Sequence, residues 1–510
     1  MEHKIFVKNV GKISFGTMLS RIFGYIRDML VAYFFGTGVF ADAFYVAFKV
    51  PNLFRRVFGE GSFSVAFMPV FCEYLHIKDK NETQKFLNIV FTALFIILFM
   101  ISVFGVFFAP TFARIIAWGF TDDTEKIQLT IDLIRLMFPF ILFICLAAFL
   151  LAILNTLYSF FIPALAPSML SFSEIFYMLT VAPLFVSKSQ IKGLAVSIIV
   201  GSILHFFVQY LKLKSLGWHL KFMLDLKHPG IKKIAVLMLP SLVGLSADQI
   251  NAFVDNICAT LISRGAVSAL YYSNRVMQLP LAIFGLAFAA VSLTSMSKAY
   301  AQKDIDALKS SLNYSIRFIN FTLFPAAAGL MTIGLPIIKF LFEHGKFSCA
   351  GSIMTNNALF YYSLGLPAYA SVKIFANAFY SFQDTKTPIK TSIWAMILHI
   401  FLCMIMIRLM DVGGLALATA LSSYFNFMLL VIYLRKRIGR FGLRLIIFSS
   451  CKSFISSIIT AIVAWDVCKV SDNLFVSVPV AIVLSLAAFI ISSYILKSDE
   501  LKILKSTFVR

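Results

Sequence analysis

The sequence predicts an all-α polytopic membrane protein with 14 transmembrane helices, two parallel six-helix lobes and two further helices at the C-terminal end. Three observations carry that expectation. Of 510 residues, 60% are apolar and only 14% charged, where a soluble domain holds about a quarter charged. The apolar residues gather into stretches that reach the roughly 20 residues a bilayer crossing needs. The first and second halves of the chain also echo each other. A water-soluble enzyme, a disordered chain and a fibrous protein are excluded on composition alone.

Taken in order, the spans lie at roughly 10–35, 40–72, 86–110, 129–155, 161–186, 192–214, 232–262, 267–297, 311–337, 354–382, 389–409, 413–434, 446–466 and 473–496. The first carries Arg21, Arg27 and Asp28, charges that the apolar region of a cleavable signal peptide does not tolerate. Proline lies within spans at Pro51, Pro139, Pro167, Pro240, Pro280 and Pro367, where it removes a hydrogen bond and kinks the helix. The segment 212–233, with Trp218 and several lysines, reads as an amphipathic stretch on the membrane surface. No CxxC or CxxH spacing is present among the seven cysteines, so neither a disulfide framework nor a zinc site is expected.

The net charge is +21, from 45 Lys and Arg against 24 Asp and Glu. No basic domain stands apart from the membrane, so nucleic acid is not an expected partner; anionic lipid heads and the positive-inside rule account for the excess. The connection after span 6 holds Lys212, Lys214, Lys221, Lys227, Lys232 and Lys233, and that after span 12 holds Arg435, Lys436, Arg437, Arg440 and Arg444. Residues 36–40 carry no charge and the loop after span 7 only Arg264. Both termini are therefore expected in the cytoplasm.

The repeat is ordered. Asn155-Thr-Leu-Tyr-Ser-Phe160 recurs as Asn377-Ala-Phe-Tyr-Ser-Phe382, and Gly193-Leu-Ala recurs as Gly414-Leu-Ala. Ala43-Phe-Tyr45 with Lys49 recurs as Ala269-Leu-Tyr271 with Arg275, and Asp28 matches Asp255. The offsets lie between 221 and 227 residues. A six-span unit repeated in parallel is the organisation of secondary transporters, with the substrate between the halves. The expected division is an N-terminal lobe over 1–215, a cytoplasmic linker over 216–231, a C-terminal lobe over 232–437, and helices 13 and 14 with a cytoplasmic tail over 438–510.

Charge inside a span is expensive, about 2.5 kcal/mol or more at mid-bilayer, and persists facing a wet cavity or a partner. Spans 1 and 2 carry Arg21, Arg27, Asp28, Asp42, Lys49, Arg55, Arg56 and Glu60. Arg21 and Arg27, six positions apart, point about 120° apart on a helix and can line one broad wall. With Arg275 they suggest a cationic cavity built by both halves, suited to a diphosphate, because guanidinium forks hold phosphate oxygens bidentately. Arg56 and Glu60 read as interfacial charges. Further acids are Asp132, expected to pair with Arg135; Glu174, without a basic neighbour in sequence; and Asp248 and Asp255, the latter a candidate for coupling or gating with its repeat mate Asp28. His399 reads as a structural histidine. No Walker loop, GxSxG elbow or HExxH is present, so the chain is expected to be a transporter and not an enzyme, with no cofactor or metal, driven by an ion gradient or the membrane potential.

The block Ser20-Arg21-Ile-Phe-Gly-Tyr-Ile-Arg27-Asp28, Ala41-Asp42-Ala43-Phe44, Phe48-Lys49-Val-Pro51-Asn52-Leu-Phe-Arg55-Arg56 and Gly61-Ser-Phe63-Ser64 closely resembles the MurJ (MviN) family. So do Tyr271-Tyr272-x-x-Arg275-Val-Met277-x-x-Pro280 and Gln383-Asp-Thr-Lys-Thr-Pro388. The family lies within the multidrug/oligosaccharidyl-lipid/polysaccharide exporter superfamily. The resemblance implies a flippase that moves lipid II, the undecaprenyl-diphosphate-linked peptidoglycan precursor, from the cytoplasmic to the outer leaflet of the bacterial inner membrane. It implies substrate contacts at Arg21, Arg27, Arg55 and Arg275, with Asp42 and Lys49 beside them, and a tail groove along helices 13 and 14. Some members hold sodium between helices 7, 11 and 12. Asp255 and Thr419 look like two of the contributors, but His399 and Cys403 stand at the helix 11 positions and are poor ligands for a hard cation, so sodium stays an open alternative. Lipid II, membrane lipids and the cell-wall synthesis machinery are the expected partners. Competing readings are a flippase for another lipid-linked oligosaccharide, a drug/cation antiporter, which would want an acidic, aromatic site, and a membrane scaffold, which would not need the cavity charges.

Overall fold

The computed structural model describes residues 2–56, 62–225, 227–471 and 473–508; the side chains of 2–15, 62, 65, 187, 239–248, 286 and 504–508 lie outside the description. Glu60 and the side chain of Asp248 therefore fall outside the described residues. Among the described residues the backbone is helical with no strand. Among the described residues eight continuous helical stretches, from 474–495 to 386–438, are long and apolar enough to cross a bilayer. The all-α membrane class follows.

The chain forms two compact units, 1–267 and 268–510. The first contains α1 (Glu2–Phe35), α2 (Val39–Phe54), α3 (Ser62–Ile77), α4 (Lys80–Phe107), α5 (Ala109–Ile116), α6 (Thr124–Met137), α7 (Phe140–Thr156), α8 (Phe161–Leu165), α9 (Ser168–Phe176), α10 (Ser187–Ser215) and α11 (Pro229–Thr260). The second contains α12 (Ala266–Pro280), α13 (Leu286–Ala301), α14 (Ile305–Phe342), α15 (Cys349–Leu364), α16 (Leu366–Ser381), α17 (Lys386–Ile438), α18 (Leu443–Val470), α19 (Leu474–Ile495) and α20 (Asp499–Phe508). The boundary follows packing. Helix α11 opens the second sequence repeat but packs on α3 in the first unit.

Several spans expected as single helices are broken. The fifth span is divided into α8, α9 and a π turn over 177–181, with Pro167 at the start of α9. Another π turn over 281–285 follows Pro280 between α12 and α13. Gly365 and Pro367 separate α15 from α16. Spans 11 and 12 share α17, which breaks at Asp411 (φ 49°, ψ −126°). The reversal brings Gly414 so close to the Met406 carbonyl that an added Cβ would lie 2.2 Å from its oxygen, so only glycine fits.

Helix starts are capped by side chains that accept the first orphan amides. Asp79 accepts from Glu82 N at 2.8 Å, Asp123 from Lys126 N at 3.1 Å, and Asp304 from Ala307 N at 2.8 Å. The core of the first unit is phenylalanine-rich, with Phe67 stacked on Phe63, Phe71 and Phe86 and edge-on to Phe149 at 5.1 Å. In α18 and α19 the pattern is inverted. Ser449, Ser453, Ser456, Ser457 and Thr460 are buried while Ile482, Val483, Leu486 and Ile490 are exposed. That is the membrane pattern, where small residues let helices approach and lipid takes the large ones.

The segment after α10, read from the sequence as an amphipathic stretch, is held by a neighbouring helix. Residues 218–225 form irregular backbone laid along α4, whose Gln84, Asn88 and Thr92, one turn apart, accept the amides of His219, Lys221 and Met223 at 3.2, 3.0 and 2.8 Å. Trp218 is buried against Phe71. Side-chain acceptors at four-residue spacing match an extended strand's alternate amides, so the backbone is satisfied without a helix.

Candidate functional site

In the first unit, α1 packs along α8 and α9. This sets Arg27 against two acids. Its Nη2 donates to Asp28 Oδ1 at 2.7 Å and its Nε to the same oxygen at 3.0 Å, while Nη1 lies 3.5 Å from Glu174 Oε1. Asp28 and Glu174 are both buried and Arg27 is mostly so. Glu174, without a basic neighbour in sequence, thus has one 147 positions away. Arg21, two turns earlier, is exposed. The two arginines do not share one environment, Arg21 being exposed and Arg27 mostly buried.

On α2, three expected site residues have different surroundings. Asp42 is fully buried, and its Oδ2 accepts from Lys126 Nζ at 3.0 Å and from Gly265 N at 2.7 Å. Lys126, itself buried, also lies 3.7 Å above the Phe120 ring. Next to this pair, Asp123 caps α6 and receives Arg264 at 2.9 Å, while Gly119 N donates to Thr260 Oγ1 at 3.1 Å. Asp42 therefore ties α2 and α6 to the turn that ends α11. Lys49 Nζ donates to the Ala252 carbonyl on α11 at 3.5 Å, and the Asp255 charge, one turn further along α11, acts on it. Arg55 Nε donates to Asn52 Oδ1 at 2.8 Å. Arg56 is exposed, in keeping with an interfacial charge.

Asp132 pairs with Lys192 of α10 at 2.8 Å, a helix away, and also accepts from Gln128; this replaces the expected partner Arg135 on its own helix. In the second unit Arg275 sits half-buried on α12. Thr419 Oγ1 donates back to Leu415 O at 3.0 Å. His399 and Cys403, one turn apart on α17, approach at 3.5 Å, with Ser422 Oγ 3.5 Å from the other ring nitrogen. A thiol and an imidazole are soft ligands, unlike the oxygens a hard cation takes. All seven cysteines are thiols rather than disulfides.

Lys126 was missed by sequence reading because it sits in a polar run, Thr121-Asp-Asp-Thr-Glu-Lys126, that reads as a solvated loop. The available signal was the acid in mid-apolar α2, which demanded a cation from elsewhere. Chemically, α1 offers one guanidinium, that of Arg27, in a protein interior. Arg27 is already held by carboxylates, so it is oriented without solvent.

The family model for the lipid II flippase MurJ matches residues 31–488. A lipid II flippase MurJ from Burkholderia cenocepacia is 34% identical over 425 residues, covering 82% of each chain. A protein described as a probable lipid II flippase MurJ from Buchnera aphidicola subsp. Schizaphis graminum is 34% identical over 424 residues, covering 83% of this chain and 82% of the relative. The solved structure of a lipid II flippase MurJ in an inward closed conformation superposes with a TM-score of 0.82 at 28% identity, covering 96% of this chain and 99% of the other. By sequence across nearly its whole length and by fold, the chain belongs to the lipid II flippase MurJ family.

Proposed function

We propose that this chain moves lipid II across the membrane by binding its diphosphate at the arginines Arg21, Arg27, Arg55 and Arg275. The chain is a lipid II flippase, a multi-pass inner-membrane protein and a transporter rather than an enzyme. The head group enters from the cytoplasm, the polyprenyl tail stays in lipid along helices 13 and 14, and the repeated halves rock to release the head outside. The Lys and Arg loop asymmetry supports a topology with both termini in the cytoplasm.

The observation that carries the site reading is the Arg27 fork. Two of its nitrogens sit on one oxygen of Asp28 and Nη1 lies 3.5 Å from Glu174, so the guanidinium is held in one orientation inside the protein, where a charge-assisted contact to a phosphate oxygen is strong. Asp42 acts by holding the turn at Gly265, and Lys49 by answering Asp255; neither needs to touch substrate. Net positive charge moving through the field responds at about 2.3 kcal/mol per charge per 100 mV, which makes the membrane potential the energy source proposed. Asp28, Asp255 and Thr419 are the coupling or gating residues of that cycle, and the cell-wall synthesis machinery receives the product.

The test is binding of lipid II to the purified protein by native mass spectrometry, with an undecaprenyl monophosphate competitor. Arg27→Ala and Arg275→Ala are expected to lose the preference for the diphosphate. Equal retention of both lipids by native protein and both variants contradicts the arginine site.

A further inference from the structure

Within the first unit, α9 packs on α1 and on α10. Glu174 lies on α9 with 3% of its surface exposed. Among the described residues its one polar partner is Arg27 on α1, whose Nη1 lies 3.5 Å from Glu174 Oε1. The polar side chains beside it are engaged elsewhere. Ser173 donates to Ser197 O of α10 at 2.9 Å, and Tyr177, just past the end of α9, donates to Gln190 O of α10 at 2.9 Å. Asp28, the other partner of Arg27, brings a second carboxylate and no donor.

Two buried carboxylates therefore meet one guanidinium on unequal terms. Asp28 is the chain neighbour of Arg27, and one of its oxygens takes Nη2 at 2.7 Å and Nε at 3.0 Å. Glu174 comes from another helix on a longer side chain, and its single contact exceeds the usual charge-assisted length of about 2.7–2.9 Å. Stability does not account for an acid so placed. Burial strips its hydration, one long contact does not return it, and an apolar residue of similar volume is often as stable or better. What Glu174 supplies is negative charge beside the guanidinium that the substrate diphosphate is to use, and like charges brought together there repel. We propose that Glu174 is the resting counter-ion of Arg27, which the diphosphate displaces on binding and which reclaims Arg27 as the head group leaves. It is a positioning residue that acts through Arg27, and it keeps the affinity for lipid II low enough for release. The inference rests on the diphosphate site proposed above and adds which carboxylate yields there.

The experiment measures lipid II affinity and flux with the purified full-length chain. Glu174→Gln keeps the shape and removes the charge, and Glu174→Leu removes the polar group as well. In both, Kd for lipid II is expected to fall about tenfold, because one competing charge-assisted contact is gone. In sealed vesicles the apparent KM and the flux at saturating lipid II should fall together, since release slows. Glu174→Asp keeps the charge and should bind as native protein does. A merely structural residue would act with the opposite sign, giving a weaker binder with a lower thermal midpoint. A Kd that is unchanged or raised in both variants, or a flux that does not fall while the affinity rises, overturns the counter-ion role. Arg27→Ala separates this from the site itself. If that variant binds lipid II as tightly as native protein, the diphosphate is not held at Arg27 and the proposed function fails. If it binds weakly and Glu174→Gln and Glu174→Leu bind no tighter than native protein, the part given to Glu174 fails alone.

Discussion

The buried pair of Asp42 and Lys126 allows a sharp separation of charge from packing. Both side chains are nearly inaccessible, the carboxylate oxygen holds Lys126 Nζ at 3.0 Å and Gly265 N at 2.7 Å, and the ammonium also faces Phe120 at 3.7 Å. Removing only Lys126, as Lys126→Met, leaves a buried carboxylate without its ammonium. Breaking a buried pair in this way costs about 3–5 kcal/mol. Asp42→Asn combined with Lys126→Met removes both charges yet keeps an oxygen for Gly265 N. The loss should then shrink to about 1 kcal/mol, the worth of the hydrogen bonds no longer made. The assay is SDS-induced unfolding of the purified protein in mixed micelles, with the three variants compared at constant lipid. If Lys126→Met alone is as stable as the native chain, or the double variant is worse than the single, the ionic tie between α2, α6 and the α11 turn does not hold that corner together.

At the substrate arginines, Arg21→Ala, Arg27→Ala or Arg275→Ala should abolish flux at normal abundance, each losing a contact of about 1.5–3 kcal/mol, with lysine rescuing only in part; normal wall synthesis in all three contradicts this. Flux should depend on potential more than on sodium and be slowed in Asp255→Asn; a large loss when choline replaces sodium at fixed potential refutes it. Beyond the last span, burial pushes the Glu500 carboxyl up, but hydrogen bonds from Ser498 and Ser449 and the Arg317 charge outweigh it and hold it below its usual value. A carboxylate with a lowered pKa contributes stability above its unfolded value, so α20 should detach as pH falls below about 4, seen as faster hydrogen exchange over 499–508; protection that does not change with acid refutes the clasp. Cysteines at residue 38 and in 435–444 should label from opposite sides of the membrane, and labelling from the same side overturns the orientation.

What was legible in the sequence follows from the kind of physics involved. Apolar runs and charge-poor composition mark the spans, because lipid demands them regardless of neighbours. The interruption of α17 between residues 409 and 413 was readable for the same reason. Contacts across helices were not. Glu174 and Arg27 are 147 positions apart, Asp42 and Lys126 are 84 apart, and no spacing rule connects them. Asp132 was given to Arg135 because periodicity sees only a residue's own helix, whereas packing offered Lys192. The strap along α4 escaped for a related reason. Its lysines and Trp218 suggested an amphipathic stretch on the membrane surface, but the groups that shape its backbone are Gln84, Asn88 and Thr92 on another element.

The most direct measurement is translocation of lipid II by the purified protein in sealed vesicles, with and without an imposed membrane potential. Native protein should move lipid II between leaflets, faster with the potential in the direction that drives cavity charge outward. The Arg27→Ala protein, inserted equally, should not. Lipid II that stays in its leaflet in the presence of native protein and a potential, or that moves equally with Arg27→Ala, contradicts transport through the arginine site.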